Sequence, residues 1–397
     1  MKDSSTTPIP DPVPRRKDND YSALAVTERQ DFAADIAGHA LPHLRGEPVP
    51  FEAARNKIEN LFGFAQVPLG LAGPMIVKGQ DEGGPVYVPM ATTEGALVAS
   101  YSRGMKLFNA GGGISARVVD DGYTQHPLFV YDDAKTAVQA ARRTTELREA
   151  LEEITDEATQ HGSLTGVQTT VVGRRLIVQL TFTTGDALGA NMAAKAADRC
   201  CRWIAEATRA SRYFVHGQDV EKRASPWHLQ NGRGRSVVAE GLVPRSVLRK
   251  KARAEPADLV EILRAYTVGY AQMGTQNWMV QVANGLAAIL IACGQDVAYV
   301  GESSVGQLDF DVNNDGDLYA SVTLPSLLLG TVGGGTNQGT AAECLDILGC
   351  RGSGRAHRLA EIVGAAVLAG DLSLMAAFCS HEFVAAHEEL GRNRPTD

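Results

Sequence analysis

Several features are scarce in this 397-residue chain, and each scarcity closes a class of function. Lysine and arginine number 38 against 46 aspartates and glutamates, a formal net charge of -8 with a pI near 5.7. A binder of phosphate backbones needs clustered surplus cations, so nucleic acid is not expected as a partner and an anionic substrate has to be met locally. The six cysteines, Cys200, Cys201, Cys293, Cys344, Cys350 and Cys379, form no CxxC pair, and most sit in apolar helical patterns where cysteine packs as a small hydrophobe. No metal is expected from that spacing, and a reducing, cytoplasmic location is. No run of about 20 uninterrupted apolar residues is present, so no membrane span is expected. The first twenty residues, MKDSSTTPIPDPVPRRKDND, are proline-rich and charged with no apolar stretch, and read as a loose leader and not as a signal peptide.

What is present is ample core material, with 44% of residues hydrophobic, enough for two or three compact units. After the leader over 1–20, a helical region is expected over 21–62, carried by RQDFAADIAGHALPHL and FEAARNKIENLF, with Pro42, Pro48 and Pro50 between them. Residues 63–127 begin a larger unit: two β-leaning runs bounded by Gly and Pro lead into the apolar helical pattern ATTEGALVASYSRGMKL. Residues 128–214 change character, with one charged helix DDAKTAVQAARRTTELREALEEI, two strands and a further helix ANMAAKAADRCCRWIAEATRA, a pattern that closes on itself as a small α+β unit. The large unit resumes over 215–397, where YAQMGTQNWMVQVANGLAAILIACG (270–294) reads as one helix, apolar nearly all round, that belongs in the middle of a core.

Six places draw attention as chemistry. Glu94 follows two threonines at the start of an apolar helix, where a carboxylate serves either as capping and dipole chemistry or as a catalytic acid. TTGDALGANMAAK (183–195) follows a strand and opens a helix, the setting in which backbone N–H groups receive a phosphate, although neither a GxGxxG nor a GK[ST] is present. GTVGGGTNQGT (330–340) holds five glycines, which suits a close backbone approach or an ordinary turn. Asp296 ends the expected long helix at its negative pole and so needs a cation, for which Lys222 is one of several candidates. Asn284, inside an apolar run, needs partners from the backbone or from a site, and His387 in the last helix reads on its own as a packed or solvated residue.

In order along the chain, ENLFGFAQVPLGLAGP, MATTEGALVASYSRG, GDALGANM, GRGRSVVAE, IACGQD, GTVGGGTN and AGDLSLMAA closely resemble the soluble catalytic domain of class I 3-hydroxy-3-methylglutaryl-CoA (HMG-CoA) reductases, from about Glu59 to about His387. The resemblance implies an α+β fold: a large substrate domain around a long central helix, with a ferredoxin-like dinucleotide-binding domain inserted at 128–214. It implies reduction of a CoA thioester to an alcohol by two hydride transfers from NADPH, with NADH as rival. It further implies a homodimer, or a dimer of dimers, with active sites completed between subunits. Residue by residue, it assigns catalysis to Glu94, Lys222, Asp296 and His387, and coenzyme contacts to Asp186, Gly189, Asn191, Met192, Gly333, Gly334 and Gly335, with Thr159 near the 2′-phosphate. Substrate contacts fall on Arg103, Gln125, Arg223, Arg264 and Asn284. Chemistry agrees with that set: an ammonium stabilises the oxyanion of a reduced thioester, an adjacent carboxylate keeps the lysine charged and raises the proton affinity of a nearby acid, and an imidazolium protonates a thiolate. The sequence departs from the family pattern where the acyl group is read: Gln125 stands for an arginine, Val215 for a serine, Arg223 and Arg264 for lysines, and Gln160 for the cation beside the 2′-phosphate. A different acyl thioester, or a non-catalytic binder of CoA esters or nucleotides, are the alternatives these departures raise.

Overall fold

The computed structural model describes residues 10–218 and 220–380. Helix α1 (Ala23–Ala37) starts at Ser22, whose hydroxyl accepts the Ala25 N–H, and stops at Gly38 in the left-handed region. The second helix expected before residue 62 is only a single 3₁₀ turn at Phe51–Ala54. Asn56 and Asn60 take the left-handed φ through which a right-handed helix cannot continue, and Phe51, Ile58 and Phe62 are exposed, so packing within the chain gives a helix here little support.

Strands β1 (Leu69–Lys78) and β2 (Gly83–Ala91) form an antiparallel hairpin, followed by α2 (Leu97–Ala110) and β3 (Ile114–Gln125). Then come β4 (Leu128–Val130), α3 (Ala134–Glu146), α4 (Arg148–Ala158), β5 (Leu164–Val172), β6 (Arg175–Phe182), α5 (Ala190–Thr208) and β7 (Arg212–Phe214). Within this stretch the strand order is β7-β4-β6-β5 with antiparallel neighbours, so the helical crossovers β4→β5 and β6→β7 interlock as in ferredoxin-like folds. The period-2 burial of β6 turns Leu176, Val178, Leu180 and Phe182 onto Ala193, Ala196, Ala197, Cys200 and Ile204 of α5, which form a second hydrophobic core. The charged helix expected as one piece divides at Leu147 into α3 and α4, each burying its own face.

The rest of the chain supplies α6 (Pro226–Asn231), β8 (Gly234–Val243), α7 (Arg245–Ala252), α8 (Pro256–Met273), β9 (Asn277–Trp278), α9 (Val282–Ala292), α10 (Val300–Ser303), β10 (Gly306–Val312), β11 (Leu318–Leu327), α11 (Gly339–Ile347) and α12 (Ala356–Cys379). β3 belongs to both sheets: it pairs with β8 over Ile114–Gly122 and with β6 over Tyr123–Gln125, so one strand carries the chain from the larger core to the smaller.

The central helix is α12, not 270–294. α12 is buried along almost its whole length, and small residues bring it close: a Cβ on Gly364 would lie 2.6 Å from Val237, and a Cβ on Gly104 of α2 would collide with the Ala369 carbonyl. Segment 270–294 breaks because Gly274 takes φ 71, β9 pairs with β10, and the buried Asp371 of α12 accepts the N–H groups of Val280 and Gln281. By length and mean composition α12 alone among the described helices is long and apolar enough to cross a membrane, but Glu361 and Asp371 interrupt it and 83% of that stretch is buried inside the fold.

Candidate active site

Lys222 sits on the turn before α6 with φ 59, a left-handed conformation unusual for a lysine. Its ammonium donates to Asp296 Oδ2 at 2.8 Å, both side chains being partly exposed, and lies 4.8 Å from the centre of the Tyr299 ring. Asp296 caps the short 3₁₀ turn Val297–Tyr299, its Oδ1 accepting the Ala298 N–H. Burial pushes the Asp296 pKa up, but the Lys222 and Ala298 hydrogen bonds outweigh it and hold the carboxyl below its ordinary value.

Behind this pair lies a buried network. Glu302, with no exposed surface, accepts the Lys222 backbone N–H on Oε2 at 2.8 Å and the Arg233 guanidinium on Oε1 at 2.7 Å. Tyr299 donates to Glu221 at 2.6 Å, Arg233 reaches Glu221 at 3.4 Å and lies over the Tyr123 ring at 4.0 Å, and His228 Nε2 meets the Val220 carbonyl at 3.0 Å. Burial lifts the Glu302 pKa to about 7, against the pull of Arg233 and of the Lys222 amide. Glu302, Arg233, Tyr299 and His228 are not foreseen from the sequence; the signals they leave are a lone acid in VGESSV and two arginines in GRGR.

Glu94 is outside the first turn of α2, so the capping alternative fails. The N-cap is Ala96 at φ 69 with no side-chain cap, and the Thr92 hydroxyl accepts the Glu94 N–H at 3.0 Å in a local turn. Glu94 Oε1 accepts from Asn284 Nδ2 at 3.2 Å. Asn284 lies in the first turn of α9 and Asp296 follows its last, so two polar pairs, Glu94 with Asn284 and Lys222 with Asp296, mark opposite ends of one helix.

The residues expected at the coenzyme fall mainly on turns that interlock with the start of α12 and the turn after α9. Asp186 ties its turn to the start of α12: Oδ1 accepts the Arg355 and Ala356 N–H groups at 3.0 and 3.1 Å and Oδ2 that of Gly354 at 2.7 Å. Burial raises its pKa, but these three donors outweigh it and hold the carboxyl below its ordinary value. Arg235, buried, donates to the carbonyls of Leu329 and Gly185, and Gln295 exchanges two hydrogen bonds with Gly330 at 2.9 Å each. Gly189 caps α5 at φ 92 without any side-chain acceptor, and Asn191 and Met192 follow it on the first turn. Gly333 and Gly334 are exposed at positive φ with nothing within 4 Å of a Cβ, whereas Gly335 packs on Gly294.

The remaining residues scatter. Arg103 donates to Ser373 Oγ and O at 2.9 and 2.8 Å. Gln125 is buried at the end of β3 and lines a small cavity with His126, Gln218, Glu221 and Arg233, behind the lysine turn. Arg223 is exposed beside Lys222, and Arg264 is exposed on α8, 3.7 Å from Glu261. Thr159 ends α4, its hydroxyl accepting the His161 N–H. His387 lies outside the described residues. Among the described residues no group of three or more His, Cys, Asp or Glu is arranged to hold a metal.

Comparison with known proteins bears on this arrangement. The sequence model of hydroxymethylglutaryl-coenzyme A reductase matches residues 25–392. The 3-hydroxy-3-methylglutaryl-coenzyme A reductase of Methanothermobacter thermautotrophicus is 39% identical over 372 residues, 93% of this chain and 94% of that one. The same-named protein of Haloferax volcanii is 40% identical over 375 residues, 93% of each. In structure, the chain resembles the class II 3-hydroxy-3-methylglutaryl-CoA reductase of Streptococcus pneumoniae bound to NADPH, with TM-score 0.74 at 20% identity over 89% of this chain and 96% of that one, a likeness of fold. A matching family over nearly the whole length, with relatives near 39% identity, leads to one conclusion: this chain belongs to the hydroxymethylglutaryl-coenzyme A reductase family.

Proposed function

We propose that the protein reduces HMG-CoA to mevalonate and free CoA, as a class I-type enzyme using NADPH, with NADH as the alternative coenzyme. The observation that carries this reading is the exposed Lys222 ammonium held at 2.8 Å by Asp296 on a turn braced from behind by buried charge. A thioester carbonyl gains negative charge on oxygen as it is reduced, and a fixed ammonium at the mouth of a site is the group to stabilise it. Asp296 pairs with that ammonium and fixes its direction. Glu94, hydrogen-bonded by Asn284, serves as proton donor to the developing alkoxide, and His387 protonates the departing thiolate.

A nicotinamide coenzyme fits the residues present: the N-terminus of α5 lacks a side-chain cap, and the open backbone at Gly333 and Gly334 leaves room for a close approach. When bound, it supplies hydride. The 128–214 unit presents the α5 terminus for its phosphates, while Asp186 and Arg235 hold that turn against the large unit.

Asn284 and Ala292 are about 12 Å apart along the α9 axis, so Glu94 and Lys222 of one chain approach from opposite ends of a helix. A two-fold partner brings unlike ends together, which supports a homodimer, or a dimer of dimers, with sites between subunits. The exposed Phe51, Ile58, Phe62, Val268 and Met273 are the apolar surface such a partner would cover. A cytoplasmic setting suits the six free cysteines.

Coenzyme oxidation followed in the near ultraviolet with HMG-CoA, and with NADPH and NADH in parallel, tests the reading: two coenzymes should be consumed per free thiol released. Coenzyme binding without HMG-CoA turnover would defeat it. The buried Gln125 favours, as second reading, a reductase of another acyl thioester, distinguished by turnover of that ester alone.

A further inference from the structure

Lys222 takes a left-handed φ of 59, a conformation that a side chain with a Cβ adopts only when its surroundings enforce it. Two contacts enforce it here. The Lys222 N–H is held at 2.8 Å by Glu302 Oε2, and a Cβ on Gly301 would lie 2.7 Å from the Lys222 carbonyl oxygen, so α10 packs on the lysine backbone at both its donor and its acceptor. Glu302 itself cannot drift, because it is wholly buried, its Oε1 is taken by Arg233 at 2.7 Å, and its Oε2 lies 3.7 Å from His228 Nε2.

We propose that Glu302 is a positioning residue for the reduction: its two carboxylate oxygens divide between the Lys222 amide and the Arg233 guanidinium, locking the lysine turn so that the ammonium points at Asp296 and the reacting carbonyl. Glutamine in its place offers one oxygen to two donors, and the turn is released even though the side-chain volume is kept. Because the effect passes through the backbone of Lys222, it falls on turnover and leaves coenzyme binding alone: the α5 terminus is held by Asp186 and Arg235, not by Glu302.

The proposal rests on the reading of Lys222 as the group facing the thioester oxygen. In the full-length chain Glu302→Gln is expected to lower kcat at least about tenfold, with NADPH affinity from coenzyme fluorescence within about twofold of the parent. Gly301→Ala presses on the same turn from the carbonyl side while keeping the Glu302–Arg233 pair, is expected to give the same split, and decides alone if Glu302→Gln does not fold. A kcat within about twofold of the parent in a folded variant overturns the proposal; so does a matching loss of coenzyme affinity, which marks general damage. Lys222→Ala run alongside separates the two readings. Turnover that survives it removes the lysine assignment and the proposal with it, whereas an inactive Lys222→Ala beside a fully active Glu302→Gln removes only the role of Glu302.

Discussion

Gly294 and Gly335 touch backbone to backbone: a Cβ on Gly335 would lie 2.6 Å from the Gly294 carbonyl oxygen, and one on Gly294 would lie 2.5 Å from that of Gly335. The turn that carries Asp296 is therefore seated directly on the glycine-rich turn. Gly335→Ala should push the two apart, costing about 1–3 kcal/mol and lowering kcat by moving Asp296. Gly269→Ala on α8, with nothing within 4 Å of its Cβ, is the control and should be neutral or slightly stabilising in thermal unfolding.

Asp296→Asn removes the charge partner of Lys222 but keeps the acceptor for Ala298. Steady-state coenzyme oxidation should fall by about 10²–10³ in kcat, comparable to loss of a transition-state donor. Since the folded Asp296 pKa is below its ordinary value, this carboxylate stays ionised at and somewhat below the usual carboxylate range, and an acid limb of the rate profile nearer neutrality should belong to another group.

Asp371 gives a stability test. Full burial in α12 raises its pKa to about 7, partly countered by the Val280 and Gln281 N–H groups, so the native state keeps a proton that the unfolded chain, with an ordinary value of 3.8, releases. Its contribution is complete below about pH 4 and is lost as the pH climbs through 7. Asp371→Asn carries no such charge, so its melting temperature relative to the parent should rise between pH 5 and pH 8. A difference independent of pH would refute the assignment.

Asp186→Ala strips three acceptor bonds from the start of α12 and unpins the turn before α5. A destabilisation of about 1–2 kcal/mol is expected from the lost cap, together with a raised KM for coenzyme and a smaller change in kcat. Denaturant titration and coenzyme kinetics read the two effects separately.

Much of the fold was legible in the residues because its signals are local. The alternation of β6, the helix of small residues after GDALG and the two-strand pattern between Leu164 and Phe182 are period-2 and period-3.6 signals that need no partner to be read. Where the reading failed, a distant group had intervened. Asp371 breaks the apolar run 270–294 from ninety residues away, and left-handed Asn56 and Asn60, with little packing from the rest of the chain, leave the segment after Phe51 as one turn. The candidate site shows the same division: Glu94, Lys222 and Asp296 are assigned by the family resemblance of the blocks that hold them, whereas Glu302 and Arg233 are ordinary letters until the chain folds.

The sequence by itself determined the kinds of group available and the local turns that bear them, since capping, glycine turns and side-chain periodicity act over a few residues. Only the tertiary structure decided which groups meet. Lys222 with Asp296, Glu94 with Asn284 and Asp186 with the start of α12 are separated by 74, 190 and about 170 positions, and no propensity reaches so far. Those pairings are set by the packing of the two hydrophobic cores, which fixes the elements that carry each group and so decides which distant side chains come within reach.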